Sequence, residues 1–486
     1  MILNTFKKYL VAMSLFVLPL LLANQYYIDD MGRASAGYTK WGVDGRPIAD
    51  MVMSVINLSS RMADLAPLPL VLSVVLLSLA LSFYRKEFIG SDKWGFVIPL
   101  AFLANPAIIS LFSYRFDVFT FTFAISVAIS IFVIKLKNVL FEIIIGSALI
   151  IIVMGTYQAV INFVSLLLVC EIVKNISRLT DPMSIVKTVL IRLAQITIGG
   201  VIYAKIVLPN TFTGGHSTNH PGISNDIIYS IKRNIYYYFD FAINNFYRSN
   251  GLVILVSFAL LCVALTAVLA WDYKKHFKGY AISWIIIAGA LVSSLMALPL
   301  TMGALLLLEK PLGGVHLYMS VSGFYLLLST LIYYCSYKVR QISSVVFLPL
   351  FYAYTLMYAY GNSLQAQEKI NNSVMNDIQY AINSNGLDVK TVIFNGQPPR
   401  SDIVKNAAFN YPILKYTVID YFWNWYWGSA YLSINGINQS YMSTTSSKKY
   451  LDKFCKFETV YSSLNFNSYY SENILIVDFS KKSCSN

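Results

Sequence analysis

The stretch YLVAMSLFVLPLLLANQYYIDDMGRASAGYTKWGVDGRPIAD, residues 9–50, decides the fold. Its first part, 9–26, is an apolar run of about the length that crosses a hydrocarbon core. A charged, glycine-bearing loop then sets Asp29, Asp30, Arg33, Asp44, Arg46 and Asp50 between aromatics and glycines. A carboxylate pair at a membrane boundary can take the proton of a hydroxyl, and arginines beside it can hold a phosphate. The same residues also suit a solvated acidic connection between two helices. This stretch alone leaves both readings open.

Outward from it, the apolar pattern recurs. The chain of 486 residues is 56% hydrophobic and only 13% charged, where soluble domains carry about a quarter charged residues. The pattern predicts an α-helical polytopic membrane protein with about eleven transmembrane helices, at 9–26, 67–84, 95–113, 118–135, 138–155, 157–173, 188–208, 251–271, 280–298, 317–335 and 342–361. Lys7 and Lys8 precede the first run, which lacks a small-residue cleavage site and reads as an uncleaved span. The net charge of +13 follows from topology. Lys7, Lys8, Arg85, Lys86, Lys93, Lys135, Lys137, Lys174, Arg178, Lys187, Arg192, Lys274, Lys275, Lys278, Lys338 and Arg340 fall on alternate loops. Placing them all in the cytoplasm satisfies the positive-inside rule. No basic helix with interleaved aromatics stands apart, which argues against nucleic acid as a partner.

That orientation puts the N-terminus inside and every long polar segment outside. A transmembrane module, 1–361, then carries the loop 26–66 and an interfacial loop 209–250. Residues 362–486 form a small mixed α/β extracytoplasmic domain, with β-like runs TVIF (391–394) and ILIVDF (474–479) and helical patterning across 364–383. Within 209–250, the part TFTGGHSTNHPG is turn-rich and expected to be mobile. IIYSIKRNIYYYFDFAINNFY reads as a helix lying in the bilayer interface, or as an ordinary surface helix. TMGALLLLEKPLGGVH (301–316) reads as a re-entrant or interfacial segment. Of the five cysteines, Cys170, Cys262 and Cys335 sit in or beside apolar runs, and Cys455 and Cys484 can pair if the tail lies in an oxidising compartment.

The chemistry-bearing residues on the outer face are few. Asp29 and Asp30 are the catalytic candidates, one as base and one as orienting group. Arg33, Arg46, Arg115 and Lys310 are cations able to meet a leaving phosphate. Arg115 and Asp117, in SYRFDVFTF (113–121), are costly at membrane depth unless paired or used. Tyr157 and Gln158 occupy a third short turn. His216, His220 and His316 are the histidines on this face. The aromatics Trp41 and, in DYFWNWYWGSAYL (420–432), Trp423, Trp425 and Trp427 can stack on sugar rings, or serve as core. No Walker, GxSxG or HExxH pattern is present. No metal site is predicted, although Asp29 and Asp30 can bind a divalent cation.

With IDDMGR…GYTKWGVDGRPIAD and the YRFD turn in view, the chain resembles the serotype-converting O-antigen glucosyltransferases of the glucosyltransferase II family over essentially its full length. The resemblance implies a GT-C-like fold in the bacterial inner membrane, a periplasmic active site and no certain cofactor. It implies undecaprenyl-phosphate-glucose as donor and a sugar of the O-antigen repeat as acceptor. A separate lipid-glucose flippase and lipid-glucose synthase would serve as functional partners. It also implies that Asp29 and Asp30 are the catalytic pair, and that Arg33 and Gly45–Arg46–Pro47 shape the donor site. Arg115 and Asp117 would line the same cavity, with Lys310 and His316 as further donor-side candidates. A flippase of lipid-linked sugar and an O-antigen polymerase or ligase are the competing readings.

Overall fold

A computed structural model of the chain describes residues 2–213, 221–481 and 484. His216, His220 and most of the turn-rich stretch around them lie outside the described residues. Among the described residues, eight helices are long and apolar enough to cross a membrane: Ile2–Ala23, Leu68–Ile89, Val139–Thr156, Val160–Ser177, Pro182–Thr211, Gly251–His276, Val315–Cys335 and Arg340–Ser384. Each coincides with one of the expected spans.

The other three expected spans fall on shorter elements. Run 95–113 is broken into 3-10 turns at Lys93–Phe96 and Pro99–Ala104 and a short helix at Ile108–Ser113. Proline lacks the N–H a helix needs and pushes the preceding residue out of helical geometry. Accordingly Asn105, before Pro106, is extended with ψ 116°. Runs 118–135 and 280–298 become Asp117–Val133 and Ile282–Leu295, of 17 and 14 residues. At 1.5 Å per residue these rise about 26 and 21 Å, short of a core of about 30 Å.

The first helix, α1 (Ile2–Ala23), packs on α4 (Leu68–Tyr84) and on the long helix Phe347–Ser384. Pro19 of α1 meets Gly361 of the long helix so closely that any Cβ at 361 would collide with it. The chain leaves α1 through Asn24, in the left-handed region at φ 47°. The opening loop is then largely helical, as α2 (Asp29–Ala36) and α3 (Pro47–Asn57). Asp29 and Asp30 form the first turn of α2, where exposed N–H groups favour carboxylates.

Three of the basic residues expected on one face, Lys135, Lys174 and Arg192, converge. Lys174 Nζ lies 2.9 Å and Lys135 Nζ 3.0 Å from Glu87 Oε1. Arg192 Nε lies 2.9 Å from Glu171 Oε2 and its Nη1 3.5 Å from Glu142. Three acids thus answer three bases drawn from neighbouring helices, so no buried charge in the cluster is left alone.

The helix Ile227–Asn245 confirms the helical part of the 209–250 loop. Asn234 Nδ2 donates to the carbonyls of Leu306 (3.2 Å) and Leu308 (2.8 Å), tying it to the 301–316 segment. Ile228 and Tyr236 stay 84% and 74% exposed on its outer side.

The long helix Phe347–Ser384 runs without interruption through the expected boundary at 361/362. The tail adds four strands, β1 (Thr391–Asn395), β2 (Glu458–Ser462), β3 (Asn467–Ser471) and β4 (Ile474–Asp478). Their order is β1-β4-β3-β2, with β1 parallel to β4 and the other pairs antiparallel. TVIF and ILIVD supply β1 and β4, whose residues are almost all buried. Cys455 and Cys484 form a disulfide with Cα atoms 5.1 Å apart, whereas Cys170, Cys262 and Cys335 are free.

Candidate active site

The two aspartates at the head of α2 have different surroundings. Asp30 is 0% exposed. Its Oδ2 accepts from the backbone N–H of Tyr27 and of Arg115, each at 3.0 Å, and its Oδ1 from Phe116 N–H at 3.4 Å. Asp30 therefore ties the exit of α1 to the 114–117 turn. Burial pushes its carboxyl well above the usual carboxylate range, the Asp117 charge adds to this, and the three N–H donors oppose it. Asp29 is only partly buried. Trp427 Nε1–H donates to its Oδ1 at 2.7 Å, and its charge acts on the hydroxyls of Tyr27, Tyr38 and Tyr114. Ile28, just before it, is held at φ 35° and ψ −100°, a conformation that a β-branched residue adopts only under constraint.

Arg33 and Asp117 are brought together in the interior. Arg33 Nε lies 3.4 Å from Asp117 Oδ2, and its guanidinium covers the Trp41 ring at 3.8 Å. Trp41 Nε1–H donates to Asp117 Oδ1. Trp41 is 1% exposed, so its ring face is already taken by Arg33. Asp50 accepts from the N–H groups of Trp41 (3.0 Å) and Gly42, closing the loop on itself.

Arg46 stands on another side of the cluster. Its Nε donates to Gln158 Oε1 at 3.1 Å, and its guanidinium lies 4.9 Å from the Tyr157 ring. Gln158 in turn donates to Asp44 O (3.0 Å) and to the Tyr203 hydroxyl (2.9 Å). Gly45, at φ 78°, has the Tyr203 hydroxyl and Leu208 so close that a side chain could not fit. The charges of both Arg46 and Asp117 reach His316, whose Nδ1 is 3.2 Å from the Tyr114 hydroxyl.

Arg115 faces an open groove of about 360 Å³, within the roughly 300–1,000 Å³ range of ligand clefts. Leu20, Leu70, Phe112 and Leu364 form its apolar walls, and Asn24, Tyr114 and Arg115 its polar mouth. The Arg115 side chain pairs with Asp64 at 2.8 Å, bonds Asn24 and lies 4.3 Å from the Tyr26 ring. Lys310 is exposed, and among the described residues no hydrogen bond or ion pair holds it.

The C-terminal aromatics divide. Trp423 and Tyr426 are 45% and 52% exposed, while Trp425 and Trp427 are half-buried with rings 5.0 Å apart. Tyr421 is buried, accepts from Ile28 N–H (3.1 Å) and donates to Tyr26 O (3.2 Å). Tyr421, Asn24 and Asp64 were not singled out from the sequence. Nothing local marks Tyr421, which lies 393 positions from the residue it holds. Among the described residues no three His, Cys, Asp or Glu side chains gather as metal ligands.

Eight helices of spanning length among the described residues mark a membrane protein, and its carboxylates, arginines and a histidine gather where the first loop meets the 114–117 turn. The chain belongs to the glucosyl transferase GtrII family, whose model matches residues 18–327, and so it is a glycosyltransferase. The match takes in Asp29, Asp30, Arg115 and His316, and stops before Trp427. The chain is also similar to a Salmonella phage P22 protein described as an uncharacterized 55.3 kDa protein in the gtrB 5' region. The two are 24% identical over 441 residues, which cover 88% of this chain and 89% of the relative. No solved structure matches the chain.

Proposed function

We propose that this enzyme transfers glucose from undecaprenyl-phosphate-glucose to a sugar of the O-antigen repeat, at the periplasmic face of the bacterial inner membrane. The observation that carries this reading is the groove whose leucine walls end at Arg115, with Tyr27 and Tyr114 shared between its mouth and the surroundings of Asp29. A long isoprenoid suits such walls, and its phosphate would sit at the cationic mouth. The Cys455–Cys484 disulfide supports an oxidising compartment for the tail, and the clustered bases at the opposite end support a cytoplasmic face there.

In this reading Asp29 takes the proton from the acceptor hydroxyl. The hydroxyl oxygen bonds to the anomeric carbon of glucose, and the bond from that carbon to the phosphate oxygen breaks. Undecaprenyl phosphate leaves with the bonding pair, and Arg115 meets the charge it gains. Arg46 and His316, the latter joined to the groove through the Tyr114 hydroxyl, would serve the glucose. Arg33, Asp117 and Trp41 hold the loop in shape. The tail, with the exposed Trp423 and Tyr426, offers sugar-stacking surface to the polymer. The donor groove is built almost wholly from residues before 362, with Leu364 of the long helix completing its wall, and the rest of the tail faces the acceptor.

Arg115→Gln tests the groove. The expected result is a rise of about tenfold or more in KM for the lipid donor, since a charge-assisted contact to phosphate contributes about 1.5–3 kcal/mol. Transfer measured against donor concentration checks this, and an unchanged KM would place the phosphate elsewhere. Mass analysis of O-polysaccharide from a host that supplies the lipid donor should show one added hexose per repeat. Longer chains without the added hexose would indicate a polymerase.

A further inference from the structure

Residues far apart in sequence meet at Asp29. The backbone just before it adopts the constrained geometry at Ile28, and the group that secures that geometry comes from the tail: Tyr421, whose hydroxyl bridges Ile28 N–H and Tyr26 O. The carboxylate itself is held from the same direction, by the indole N–H of Trp427 at 2.7 Å. Between these two anchors Tyr426 extends over α2. The hydroxyl of Tyr38 would lie 2.6 Å, and that of Tyr426 3.4 Å, from a Cβ at Gly32, so Tyr426 touches α2 at its glycine face. The tail therefore grips the start of α2 at its backbone and its carboxylate.

We propose that Trp427 and Tyr421 are positioning residues for the transfer reaction: the C-terminal domain completes the active site by fixing the rotamer and the backbone of Asp29. This rests on the reading of Asp29 as the base. It assigns Trp427 a task other than sugar stacking, since its N–H is already committed to the carboxylate and its ring is half-buried against Trp425. A carboxylate misplaced by about 1 Å can lose two orders of magnitude in rate, so Trp427 and Tyr421 have leverage over chemistry without themselves touching substrate. It also follows that the family-matched region, 18–327, is not a sufficient enzyme by itself.

The test uses the full-length protein in liposomes containing undecaprenyl-phosphate-glucose, with an O-antigen oligosaccharide as acceptor. Trp427→Phe keeps an aromatic ring and removes the donor. The expected result is a fall in kcat of about 10- to 100-fold with KM for both substrates nearly unchanged. A carboxylate that loses a hydrogen bond to its charged form has a higher pKa. Because the base works deprotonated, the acidic limb of the pH–rate profile should therefore move to higher pH. Asp30 follows Asp29 in sequence, and the Asp29 charge reaches the hydroxyls of Tyr27, Tyr38 and Tyr114; all are unchanged in this variant. Trp427→His, which restores a ring N–H, should recover part of kcat. An unchanged kcat and pH limb in Trp427→Phe, with Asp29→Asn inactive, would overturn the positioning role and leave the catalytic reading standing. Full activity of Asp29→Asn would instead overturn the catalytic reading. If Trp427→Phe fails to accumulate, Tyr421→Phe decides: it removes only the hydroxyl on Ile28, and the same fall in kcat is expected. A wild-type kcat there would sink the proposal.

Discussion

Asp29→Asn is expected to lower glucosyl transfer by about 10²- to 10⁴-fold, the contribution a general base makes. The substitution is nearly isosteric, and asparagine keeps an oxygen able to accept from Trp427 Nε1, so the hydrogen bond at 2.7 Å survives. What disappears is the capacity to take a proton. Asp29 is partly exposed, whereas Asp30 is fully buried on three backbone N–H groups, so stability should hold. The check is the hexose content of O-polysaccharide alongside the melting temperature of the purified variant. Normal modification would remove Asp29 from the chemistry.

Asp30→Ala is expected to act on folding. It strips acceptors from three backbone N–H groups, those of Tyr27, Arg115 and Phe116. Each buried donor left unsatisfied costs about 1–3 kcal/mol, and partial relaxation brings the sum to about 4 kcal/mol. Lower abundance in the membrane and a lower denaturation midpoint in detergent are the readouts. Asp30→Asn keeps one oxygen for the two short contacts and should be milder. A stable Asp30→Asn protein with no transfer at all would place Asp30 in the reaction itself and undo this division between neighbours.

Part of the clustering is legible in the sequence, because apolar runs and the charged segments between them are written in local composition. The loop after α1, the 114–117 turn, the 155–158 turn, the 301–316 segment and the tail were all expected on one face, and they do meet around Asp29, Arg115, Gln158, His316 and Trp427. Cys455 and Cys484 come together as the compartment argument suggested, whereas Arg115 and Asp117, near neighbours in one short turn, take different partners, Asp64 and Arg33, because the turn points their side chains apart. The span count was less legible. Hydropathy registers apolar residues, whereas Pro99 and Pro106 act through backbone geometry that hydropathy ignores. Division of labour between Asp29 and Asp30 was not legible at all. Adjacent residues of one type share every local signal, and only the fold decides which receives the N–H groups of the 114–117 turn. The burial of Trp41 under Arg33, and the hold of Tyr421 on Ile28, are hidden for the same reason.

The most direct measurement follows radiolabelled glucose through the purified protein in a bilayer, supplied with an O-antigen oligosaccharide and either undecaprenyl-phosphate-glucose or UDP-glucose. Label is predicted to reach the oligosaccharide from the lipid carrier alone, and to stop doing so in Asp29→Asn. Transfer from the nucleotide sugar without the lipid, or undiminished transfer by Asp29→Asn, would contradict a carboxylate working beside a lipid-phosphate groove.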